Sequence, residues 1–325
     1  MATKTLDDQL NKYLTDAHSI EEQALPQLRA APEIAGDPGL ASIFRDHLTE
    51  TEAQERLVRE RLEARGTSPS KVKDAVMKAG GLGFVLFAQS QPDTPGKLTA
   101  HAYSYEHLEL AGYELLMRVA ERAGDRETAE AARRIRDEEQ RMAERLEGAF
   151  DRAADASLEL KGAEDPDAEL DKYLADAHAL ESQSIQLLER GPKIGGEPEL
   201  ERLYAEHLDE TRSQRELLEA RLVARDASES KLKDAAMRLG ALNWGAFFQA
   251  QPDTPGKLAA FAYAFEHLEI AGYELLWRVA RRADDQDTIA TAQRVVAQER
   301  SMAERLASLW DRAAEASLSA QGVPA

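Results

Sequence analysis

The sequence predicts an all-α chain made of two tandem four-helix bundles, each with an extra crossover helix between its second and third long helices. Three observations carry this prediction. Sliding the chain by 160 residues lays one half on the other without a gap: Tyr13 on Tyr173, His47 on His207, Glu109 on Glu269 and Met142 on Met302. Within each half, apolar residues recur at steps of three and four, the period of an amphipathic helix, and strand-like alternation is missing. A fifth helical segment between the second and third long ones implies one long connection, which a simple up-down bundle does not need. The polar stretch LKGAEDPDAE, Leu160 to Glu169, marks the junction. The expected domains are therefore residues 1–160 and 161–325.

In the first half, helix one spans about Leu6 to Ala30. Asp37 then offers an N-cap, with Pro38 at the first helical position, and helix two runs to about Arg65. The segment SPSKVKDAVMKAGGLGFVLFAQ predicts a shorter crossover helix that becomes more apolar towards its end. The loop QPDTPGK stops it, and Asp93 or Thr94 caps a third long helix reaching about Arg122. After Gly124-Asp125 a fourth runs to about Ser157.

Composition excludes several functions. With 43% apolar residues and nearly a third charged, the chain is globular rather than disordered. No apolar run approaches the roughly 20 residues of a membrane span, and the N-terminus lacks a secretory core, so a cytoplasmic protein with no membrane partner is expected. The absence of cysteine removes disulfides, thiolate zinc sites and iron–sulfur clusters. A net charge of −19 disfavours nucleic acid and suits the attraction of cations. No Gly-x-Ser-x-Gly elbow or phosphate-cradling glycine motif is present.

The apolar stripes carry the functional signal, because every long helix interrupts its stripe with an acid about midway. Helix one reads Leu14, Ala17, Glu21, Ala24; helix two Phe44, His47, Glu50, Gln54; helix three Ala102, Glu106, Glu109, Tyr113; helix four Ile135, Glu139, Met142. The second half repeats the pattern with Glu181, His207, Glu210, Glu266, Glu269 and Glu299. Burying so many carboxylates costs several kcal/mol each unless something compensates, and no Lys or Arg lies on these stripes at that level. Two divalent cations would supply four positive charges, and oxygen ligands with imidazole suit iron or manganese. Residues three apart share a helix face, so Glu106 and Glu109 can reach adjacent ions. His18 and His178 at the stripe edge, and Tyr113 and Tyr273 one turn beyond Glu109 and Glu269, are candidates for positions just behind the ligands.

The motifs SIEEQ and ALESQ, HLTET and HLDET, YEHLELAGYELL and FEHLEIAGYELL, and a fourth-helix Glu followed by MAERL resemble the YciE/YciF-type ferritin-like stress proteins over essentially each whole repeat. The resemblance implies a ferritin-like bundle with a di-metal centre, two iron or manganese ions per domain, and a role in bacterial stress. Carried over by position, the implied ligands are Glu21, His47, Glu50, Glu106, Glu109 and Glu139, with Glu181, His207, Glu210, Glu266, Glu269 and Glu299 in the second domain. This sequence departs from the family pattern in the crossover, where the usual acidic pair is missing from both copies. It departs again in placing H-x-x-E on helix two, where ferritins carry E-x-x-H.

Two functional classes follow. One is a di-metal oxidoreductase that oxidises Fe(II) or consumes peroxide, with metal ions and oxygen or peroxide as partners. The other, which the missing crossover acids favour, is a non-catalytic tandem helical structural or interaction protein with degenerate metal sites. Repetition also suggests that the two bundles pack as a pseudo-symmetric dimer within one chain; a further homo-oligomer is compatible with it.

Overall fold

A computed structural model describes residues 5–70, 94–160, 166–189, 196–227 and 255–323. Among these residues all regular structure is helical, in ten helices. The first half contains α1 (Leu6–Ile34), α2 (Pro38–Ala64), α3 (Thr94–Arg122), α4 (Arg126–Glu147) and α5 (Phe150–Leu160). The second contains α6 (Pro166–Leu188), α7 (Pro198–Ala224), α8 (Pro255–Arg282), α9 (Gln286–Ala307) and α10 (Trp310–Ala320). The expected crossover helix lies outside the described residues, as does Asp93.

Local chemistry sets the starts. Thr5 and Asp8 form a reciprocal capping box at α1. Asp37 accepts the Leu40 amide at α2, and Asp125 that of Thr128 at α4. α1 continues past Ala30 to Ile34 although Pro26 and Pro32 lie inside it. Burial of Leu28, Ala31 and Ala35 holds that last turn against the core and offsets the missing amides.

The fourth helix is not continuous. Gly148 ends α4, Ala149 N–H turns back to Leu146 O at 2.9 Å, and α5 begins afresh at Phe150. The second copy breaks in the same place, at Ser308 and Leu309. The stripe Leu146, Phe150, Ala153, Ser157 keeps a helical step across the break, which is why periodicity predicts one helix. The break lets α5 lean across α3 and onto α8, where Phe150 is fully buried edge-on to Tyr103.

In each half the four long helices close a ring: α1 on α2, α2 on α4, α4 on α3 and α3 on α1. The halves meet along α3 and α8. This explains why α3 is buried nearly all round, since one face completes its own bundle and the other meets the second half. At the seam the His107 and His267 rings stack with centroids 3.4 Å apart, and Ser104 Oγ donates to Ala264 O at 2.7 Å. Pairs recur under exchange of the halves: Lys97 with Asp176 and Lys257 with Asp16, Arg118 with Asp311 and Arg278 with Asp151. Such reciprocity is the mark of a twofold contact, here inside one chain.

Candidate metal centre

The core of each bundle holds acids. His47 from α2, Glu106 and Glu109 from α3 and Glu139 from α4 each bring a ligand atom within 4.8 Å of the others, and all four are buried. His207, Glu266, Glu269 and Glu299 form the same group in the second half. Glu21 and Glu181, fully buried on α1 and α6, complete the acidic lining. Each accepts a hydrogen bond from a tyrosine hydroxyl, Tyr113 and Tyr273 respectively.

His47 links the helices. Its Nε2 lies 3.2 Å from Glu106 Oε2 and 3.5 Å from Glu139 Oε2, while Nδ1 faces Glu50 Oε2 at 3.2 Å. His207 matches this, at 3.0 Å from Glu266, 3.4 Å from Glu299 and 3.2 Å from Glu210. Glu50 therefore stands outside the acidic group, on the far ring nitrogen, with 38% of its side chain exposed and Arg145 at 2.5 Å. The buried face of α2 runs His47, Thr51, Gln54 and Val58, a step of four after His47 rather than three, and this turns Glu50 outward. A carboxylate on Nδ1–H fixes the ring and leaves Nε2 aimed at the acids, the usual support of a ligating imidazole.

The electrostatics are those of a site short of positive charge. Burial, only partly offset by Tyr113 and His47, pushes Glu21 up to about 8, and Glu181 likewise. Burial and mutual repulsion hold Glu109, Glu139, Glu269 and Glu299 well above the usual carboxylate range. Burial opposes a charge on His47, yet the facing carboxylates, Glu106 foremost, raise it well above an ordinary imidazole. Among the described residues no Lys or Arg pairs with Glu21, Glu106, Glu109 or Glu139; the ion-pair contacts Glu106 and Glu139 make are with His47. Both Glu139 oxygens and one oxygen each of Glu21, Glu106 and Glu109 are buried without a hydrogen-bond donor. Orphaned carboxylate oxygens converging from four helices fit divalent cations: four carboxylates balance two such ions.

His18 and His178 sit farther out. His18 Nε2 contacts Glu55 at 3.0 Å and groups with Glu22 and Glu55; His178 contacts Glu219 at 3.1 Å. Glu55 was not singled out by the sequence, though it stands eight residues after His47, two turns along the same face. Thr51, whose hydroxyl donates to His47 O at 3.0 Å, was missed for the same reason.

No helix among the described residues is long and apolar enough to cross a membrane. No solved structure matches the chain. A family model described as "Domain of unknown function (DUF892)" matches residues 5–159 and again residues 166–319. With buried acids of one bundle type in both halves, and both matched, the chain belongs to the DUF892 family of the ferritin-like superfamily, carried twice in tandem.

Proposed function

We propose that each half, residues 1–160 and 161–325, is a metal-binding domain holding two iron or manganese ions, and that the protein is a ferritin-like stress protein of the YciE/YciF type. The observation that supports this most is the cluster of buried, uncompensated carboxylates around one histidine, present in both halves. Glu106, Glu109 and Glu139 with His47 hold the ions, and Glu21 closes the shell from α1. Glu50 keeps the proton on His47 Nδ1, and Tyr113 orients Glu21. Bound redox-active ions would supply the electrons for reduction of oxygen or peroxide, with Fe(II) oxidised in turn. Leu14, Phe44, Ile135 and Met142, buried one or two turns from the acids and His47 on the same helices, help keep bulk water from the carboxylates.

The test is elemental analysis of chain purified without chelator. Near four iron or manganese ions per chain is the expected result, followed by oxygen or peroxide consumption on adding Fe(II). A chain that takes up no metal even after anaerobic Fe(II) loading would overturn the proposal and leave a structural helical protein.

A further inference from the structure

The halves match residue for residue in their candidate ligands but not in what surrounds them. Ala24 of α1 becomes Ser184, Glu22 becomes Ser182, Glu55 becomes Arg215 and Glu138 becomes Gln298. The structure shows what each exchange does. In the second half Gln214 donates to Glu299 Oε1, and Ser184 Oγ lies 3.4 Å from Glu269 Oε2 as a donor. In the first half the equivalent Gln54 turns away to Glu138 at 3.2 Å, both Glu139 oxygens stay without a donor, and Ala24 has no hydroxyl to offer. The second cluster is thus partly satisfied by its own protein. A cation entering it must displace hydrogen bonds that the first cluster never makes.

Charge acts in the same direction. Glu55 and Arg59 form an i,i+4 pair with the acid buried and the base outside, 8% against 44% exposed. In the second half the charges exchange places: Arg215 stands at the Glu55 position and Glu219 at the Arg59 position, 34% and 49% exposed. The Arg215 charge acts on Glu181 where the Glu55 charge acts on Glu21. Replacing Glu22 and Glu138 by Ser182 and Gln298 removes two further negative charges beside the second cluster. Gln214, the donor to Glu299, and Gln298 also line a surface groove with Glu210 and Arg294.

We propose that the two centres are inequivalent: divalent cations fill the first-half centre, around His47 and Glu139, before the second, around His207 and Glu299. The inference rests on the metal-binding reading above. One chain then offers a tight centre that stays loaded and a weak one that exchanges with the surrounding cation concentration.

Calorimetric titration of metal-free full-length chain with Mn(II) tests this. Two classes of site at least about tenfold apart in affinity are expected. Glu139→Gln should remove the tight class and Glu299→Gln the weak one. The double variant Arg215→Glu with Gln298→Glu, which alters no candidate ligand, should draw the weak class towards the tight one. Equal affinities, or loss of the weak class in Glu139→Gln with the tight class kept, would overturn the order of filling while leaving metal binding in place. No binding by a chain that keeps its helical circular dichroism would overturn the metal reading, and this inference with it.

Discussion

Glu21 meets burial, a tyrosine donor and neighbouring acids at one atom pair, and the outcome can be read in how stability changes with pH. A carboxyl whose folded value is raised holds its proton in the folded chain after the unfolded chain has lost it. The native state then binds more protons between the ordinary 4.5 and its folded value of about 8, and stability falls as pH rises through that window. His47, raised by its carboxylates, adds stability that is likewise lost as pH rises. Half-buried His101 and buried His107, held down to about 3 and about 4 chiefly by desolvation, act in the opposite sense, but only below the ordinary imidazole value of 6.5. The melting temperature of metal-free chain should therefore fall between about pH 6.5 and about pH 8, and saturating Mn(II) should flatten or reverse the slope, since the ions take the place of the protons. A metal-free melting temperature that climbs across this range would contradict the burial of ionisable acids. At this scale Glu21, Glu106, Glu109 and Glu139 were legible from their place on the apolar stripes. The outward turn of Glu50 was not, because steps of three and four share a helix face and only packing decides which of them is buried.

Single helices and their joints show which features of sequence carry structural weight. Gly36, between α1 and α2, has φ of +69°, and a Cβ there would lie 2.7 Å from Pro95 Cγ and 3.2 Å from Leu160 Cδ1. Gly66, after α2, has the same φ but open space around it. Both substitutions to alanine carry the left-handed strain of about 1 kcal/mol, whereas Gly36→Ala also forces the α1–α2 turn away from the start of α3. It should cost about 2–4 kcal/mol in all. Denaturant unfolding of the two variants measures the difference, and equal losses would mean that the Pro95 contact gives way freely. The cap at Asp37 was readable because a side-chain acceptor before a helix leaves a mark in sequence. The break after Glu147 left none, since Gly148 alone does not end a helix whose periodicity continues; the cause is the second half, onto which α5 folds.

Across the whole molecule, that second half serves as the first half's missing partner surface. The faces of α3 and α8 turned towards each other carry Ser104, His107 and Leu115 against Ala264, His267 and Leu275, with few charges until the rim pairs of Lys97, Arg118, Lys257 and Arg278. A seam with an apolar middle and a charged rim is built to hold without a covalent link. Cutting the chain at a protease site introduced between residues 160 and 166 should leave both halves in one particle under native conditions, measured by light scattering on a sizing column. Ser104→Lys places a charge at a position 4% exposed and removes the donor to Ala264 O. An unpaired buried cation costs several kcal/mol, so the cut variant should separate into halves while the uncut one stays whole. Separation of the cut wild type would mean that the link alone holds the bundles together. Retention of the cut Ser104→Lys variant would place the holding energy at the rim. The Arg118–Asp311 and Arg278–Asp151 pairs have exposed acids, 78% and 52%, so they should yield first to salt. A cut chain that remains whole in high salt would assign the seam's strength to its apolar middle and the more enclosed Lys97–Asp176 and Lys257–Asp16 pairs.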